Sequence, residues 1–104
     1  MAVEVAMTSR RLTEKIFMQT VLDVCRIHGY AAFHTYDSRR TQAGFPDLEI
    51  IGHGRIFHRE LKLDHGHTTP EQDACIDLIN RNGGDAKVWR PAMWPEIISD
   101  LRAA

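Results

Sequence analysis

The sequence predicts a mixed α/β domain with the element order αβββαβα. Three observations predict it. Long stretches of helical periodicity stand at both ends of a block of short alternating stretches. That block contains a tight glycine turn, Gly52-His53-Gly54, of the kind that joins adjacent antiparallel strands. A further strand follows the second long helix, and a strand reached through a helical crossover implies layers of helix on sheet.

Each element has its own local signal. Residues 9–28 repeat apolar side chains at helical spacing and end before Gly29, a residue favoured where helices stop. Residues 31–36 are rich in aromatic side chains and read as the first strand. Residues 37–46 are a polar loop holding Arg39, Arg40, Gly44 and Pro46. Residues 47–51 alternate as a second strand, and residues 55–62 as a third beyond the turn. Residues 64–68 are a loop. Thr69-Pro70-Glu71-Gln72 is a capping box with proline at the first helical position. It opens a helix running to about Asn82 and stopped by Gly83-Gly84. Residues 86–90 form the fourth strand. Pro95 opens a final helix with Ile97, Ile98 and Leu101 on one face.

The chain of 104 residues is expected to form one domain, and an apolar share of 43% is enough for a core. Cys25 and Cys75 match no CxxC spacing and read as buried small hydrophobes. No segment is long and apolar enough for a signal peptide or a membrane span, so a soluble, cytoplasmic protein is expected. The net charge of −1 gives no overall basic surplus. Any nucleic-acid contact must come from local clusters. The candidates are Arg10 and Arg11 with Lys15, Arg39 with Arg40, and Arg55 with Arg59.

Alternation along the two hairpin strands sorts their side chains. Leu48 and Ile50 share one face, while Asp47 and Glu49 take the other. Phe57 and Leu61 share a face, and His58, Glu60 and Lys62 take the opposite one. Asp47, Glu60 and Lys62 therefore converge near the hairpin's open end. Two carboxylates beside an ammonium make a hard-oxygen site suited to Mg²⁺ or Mn²⁺. A surface hairpin can carry the same charges without function. The first helix adds a second signal: Glu14 lies at the centre of the stripe formed by Phe17, Met18, Val21, Leu22 and Cys25, where a helix faces its core. Gln72 is likewise centred over Cys75, Ile76 and Ile79, and either caps its helix or serves the site. Leu12, Ile16 and Ile27 form an apolar outer face opposite Glu14. His65-x-His67 lacks further ligands at zinc spacing and reads as solvated loop.

Gly44-Phe45-Pro46-Asp47-Leu48, followed by Glu60-Leu61-Lys62, resembles the PD-(D/E)xK nuclease signature. Gly66-His67-Thr68-Thr69-Pro70-Glu71-Gln72 is similar to the G-x-x-S/T-P-x-Q segment of its VRR-NUC branch, whose first helix also begins near a glutamate, as Glu14 does here. The similarity spans roughly Thr13 to Leu101. It implies a single nuclease domain over residues 1–104, with a restriction-endonuclease-like core of four mixed strands flanked by helices. It implies Mg²⁺- or Mn²⁺-dependent hydrolysis of DNA phosphodiesters by a stand-alone, phage-type homodimer acting on branched DNA such as Holliday junctions. It also implies roles: Asp47, Glu60 and the Leu61 carbonyl as metal ligands, Glu14 as a ligand through water, Lys62 and Gln72 as catalytic partners. Arg39, Arg40, Arg10 and Arg11 are expected to contact DNA. Glu49 stands where the family usually has an apolar residue, and is expected to face solvent or a neighbouring arginine. The alternative to an enzyme is a non-catalytic nucleic-acid-binding module on the same fold.

Overall fold

The computed structural model describes residues 12–35 and 43–102. The order is α1 (Glu14–Ile27), β1 (Ala31–His34), β2 (Leu48–Gly52), β3 (Arg55–Leu61), α2 (Pro70–Arg81), β4 (Ala86–Trp89), a 3₁₀ turn (Pro91–Met93) and α3 (Trp94–Leu101). The sheet order is β1-β2-β3-β4; the first two pairings are antiparallel and β3–β4 is parallel. The result is a mixed four-stranded sheet with three helices, in the element order that the periodicities predict. The 3₁₀ turn before α3 was not anticipated.

The first helix starts later than expected, at Glu14 rather than residue 9. Thr13 is extended (φ −108°, ψ 163°) and its hydroxyl accepts the Ile16 N–H. Such a cap contributes about 1 kcal/mol. Residues 9–11 lie outside the described residues, as does Tyr36 of the first predicted strand. The β2–β3 hairpin turns on His53 (φ 51°) and Gly54 (φ 76°), and the Gly52↔Arg55 pairing makes it a two-residue loop. Two left-handed residues in succession suit the right-handed twist of the strands. That turn sets the register through Glu49↔His58 and Leu48↔Arg59.

The core lies on one face of the sheet. Leu48, Ile50, Phe57, Leu61 and Trp89 meet Phe17, Val21, Leu22 and Cys25 of α1 and Ile97 and Leu101 of α3. Burial of Cys25 pushes its thiol up to about 11. Leu12, expected on the outer side of α1, packs against this core instead, because it precedes the cap and does not follow the helical rotation. Ile16 and Ile27 are exposed as expected. α2 lies over the other face, tied to β4 by two hydrogen bonds between the Asn80 amide and the Ala86 backbone. No residue of α2 is fully buried, so Cys75 is only half-buried, contrary to expectation. Among the described residues, no helix is long and apolar enough to cross a membrane.

Candidate metal and phosphodiester site

The hairpin register brings Asp47 opposite Glu60, one step beyond the Leu48↔Arg59 pair. Their contacts are reciprocal. The Asp47 N–H donates to Glu60 Oε1 at 3.2 Å, and the Leu61 N–H donates to Asp47 Oδ2 at 3.0 Å. Thr35 donates its N–H to the Asp47 carbonyl at 3.1 Å, which extends the β1–β2 ladder to this residue. On the approach, Pro46 is buried and Gly44 has φ +98°, with the Glu71 carbonyl standing where its Cβ would be. The turn into Asp47 is thereby wedged against the first turn of α2.

Glu60 is only 3% exposed. Burial pushes its carboxyl up to about 8; the Asp47 carboxylate adds to the shift, and Lys62 opposes it. At neutral pH Glu60 therefore keeps a proton, held against Asp47. Lys62 Nζ stands 3.9 Å from Glu60 Oε2. Gln72 both caps its helix and reaches the carboxyl pair. Its Oε1 accepts the Thr69 N–H while Thr69 Oγ1 accepts the Gln72 N–H, completing the capping box. Its Nε2 donates to Glu60 Oε2 at 3.1 Å. Its partner in the site is thus Glu60.

Asp47 and Leu61 open on a cavity of about 420 Å³, whose other wall includes Glu14, Met18 and Leu22 of α1 and His34 of β1. Lys15 also lines it. Glu14 is on the expected side of α1, but it is exposed, not buried in the core. Thr13 caps the helix one residue earlier, so Glu14 sits in the first turn, where the stripe overhangs the cavity rather than the sheet. It also lines a second cavity with Leu63 and Asp64. Among the described residues, no three His, Cys, Asp or Glu side chains are gathered to hold a metal; the carboxylates in direct contact are Asp47 and Glu60 alone.

Two expectations are corrected here. Arg59 is not available to DNA, and Arg55 is half-buried with Nη1 already paired. Arg59 is 1% exposed, lies over Phe57 and Trp89, and donates to Asp85 Oδ1 at 2.9 Å. Arg55 donates to the Tyr30 hydroxyl and to the Asp100 carbonyl. Both lie on or beside the aromatic core, and alternation with Phe57 and Leu61 was the signal that places Arg59 there. Glu49 faces solvent as expected, with its side chain 41% exposed, but its partner is not an arginine: it accepts the Nε2–H of His58, its cross-strand neighbour, at 2.9 Å. His65 and His67 are exposed. Arg10, Arg11, Arg39 and Arg40 lie outside the described residues. In comparisons with protein-family models, curated protein sequences and solved structures, nothing matches this chain.

Proposed function

We propose that this chain is a divalent-metal-dependent DNA endonuclease with a restriction-endonuclease-like core of the VRR-NUC kind, acting as a homodimer on branched DNA such as Holliday junctions. One observation carries the reading: buried Glu60 paired with half-buried Asp47 and standing beside Lys62, with Asp47 open to a cavity. Burying two carboxylates together is unfavourable unless something compensates them. Here a retained proton does so, and a divalent cation is the natural replacement.

The donor set fits Mg²⁺ or Mn²⁺. Mg²⁺ prefers oxygen ligands, keeps several waters, and is commonly held by one or two carboxylates plus phosphate oxygens. Two carboxylates therefore suffice, and a third is not required. Asp47, Glu60 and the Leu61 carbonyl would hold the ion, and Glu14, across the cavity, would reach it through water. When bound, the ion supplies a Lewis acid for the phosphate and lowers the pKa of a water.

The chain's own groups do the rest. The Leu61 and Asp47 amides fix the two carboxylates, and Gln72 fixes Glu60 from α2. Lys62 orients the attacking water or offsets charge gathering on the phosphorus oxygens. Arg39 and Arg40, shortly before Asp47 in the sequence, and Arg10 and Arg11, shortly before Glu14, supply contacts to DNA phosphates. The test is incubation with linear, nicked, flapped and four-way DNA in Mg²⁺, Mn²⁺ or EDTA, with light scattering for the dimer. Metal-dependent cleavage supports the reading, and binding without cleavage under every condition overturns it.

A further inference from the structure

Phe45 stands two residues before Asp47 and remains 43% exposed. Its backbone is held on both sides, by Gly44 against α2 and by buried Pro46. Its ring meets the His58 ring edge-on, with centroids 5.5 Å apart at 78°. His58 is fixed in turn by Glu49. The aromatic ring is therefore braced by His58 and partly open to solvent. His58 and Glu60 are two residues apart on β3, on one face, so this brace lies roughly 7 Å along the strand from the carboxyl pair.

We propose that Phe45 is a stacking platform for an unpaired nucleobase of the DNA strand whose phosphate lies at Asp47 and Glu60. The proposal rests on the nuclease reading above. A base inside an intact duplex has both faces covered, so it offers the ring nothing. A base at a gap, a flap or the centre of a junction offers an open π-face. Stacking of this kind is indifferent to sequence because every base has such a face. The platform thus selects DNA by structure, which suits a site next to a phosphodiester. It also gives Glu49 a purpose: by holding His58, it keeps the ring upright. A second copy of the chain is the competing occupant, since Phe33, Ile51 and Ile56 are exposed on the same face of the sheet.

The experiment measures binding of fluorescently labelled DNA in EDTA, using a gapped duplex and an intact duplex of the same sequence. Wild type, Phe45→Leu and Phe45→Trp are compared, with folding followed by circular dichroism and mass by light scattering. Phe45→Leu keeps apolar cover for His58 but lacks the π-face. It should bind gapped DNA about tenfold more weakly, equivalent to about 1.4 kcal/mol, and intact duplex within about twofold of wild type. Phe45→Trp should restore gapped-DNA binding, and the mass should not change in either variant. Equal weakening on both DNAs, no weakening, or no rescue by tryptophan overturns the proposal. A changed mass overturns it in favour of an interface between copies. A protein that cleaves with metal yet shows no Phe45 effect refutes the platform alone. Ring-dependent binding without any cleavage refutes the nuclease reading and leaves the platform standing.

Discussion

Replacing Glu60 by glutamine should reverse the order of stability between variant and wild type as pH rises. In the folded protein, burial and Asp47 hold the Glu60 carboxyl at about 8, against 4.5 for an ordinary glutamate. Below pH 4.5 the group is protonated in both folded and unfolded chains and contributes no pH dependence. Between 4.5 and 8 the unfolded chain releases its proton and the folded chain keeps it, so stability falls as pH rises. Above 8 the full penalty is in place, on the order of 5 kcal/mol. Glutamine does not titrate, so Glu60→Gln should be flat across this window. It has a cost of its own: one end of its amide cannot accept both the Asp47 N–H and the Gln72 amide, worth about 1 kcal/mol. The variant should therefore be about 1 kcal/mol less stable than wild type at pH 4, close to it at pH 5, and a few kcal/mol more stable at pH 8.5. Urea unfolding in EDTA across this range reads both values. Parallel pH profiles for the two proteins would refute the buried carboxyl pair.

Three further outcomes follow from particular contacts. Gly44→Ala puts a Cβ against the Glu71 carbonyl at φ +98°, and should cost about 1–3 kcal/mol in thermal unfolding together with most of the cleavage rate, because Asp47 follows on the same turn; wild-type melting and rate would show that the turn is not wedged. Arg59→Met fills the space over Phe57 and Trp89 but leaves Asp85 without its cation, while Asp100 keeps Lys87 at 2.9 Å. Since Asp85 is half-exposed and Asp100 remains paired, the loss should be about 2–3 kcal/mol in urea, at the low end for a buried pair, with DNA affinity unchanged; weakened DNA binding at unchanged stability would return Arg59 to the DNA surface. Replacing both Arg39 and Arg40 by alanine should weaken DNA binding and reduce the steepness of its salt dependence by about two counterions, and an unchanged salt slope in a binding titration would move the DNA path elsewhere.

Much of the site was legible because it rests on local geometry. A two-residue turn at His53-Gly54 dictates the pairing of the strands, and period-two alternation then puts Asp47 and Glu60 on one face. The same rule, carried through, pairs Glu49 with His58 and puts Arg59 on the core side with Phe57 and Leu61. Those two readings were missed because charge was weighed before face. Arg59's partners, Asp85 and Asp100, come from distant parts of the chain, and nothing local distinguishes a buried guanidinium from a solvated one. Helical periodicity aimed Glu14 correctly but could not say where the core ends. Its burial depended on how far the sheet extends beneath the first turn of α1. The capping box was a local motif, so Gln72's first role was plain, whereas its hydrogen bond to Glu60 required the crossover that lays α2 against β3 and β4.

The central claim is that Asp47, Glu60 and Lys62 form a metal-dependent hydrolytic site. The most direct measurement is cleavage of a labelled four-way DNA by wild type, Asp47→Asn and Lys62→Ala in millimolar Mn²⁺ and in EDTA, with each protein shown to be folded by circular dichroism. Wild type should cut with Mn²⁺ and not with EDTA, and both folded variants should be inactive. Turnover by Lys62→Ala at the wild-type rate, or wild-type cleavage that persists in EDTA, would contradict the account.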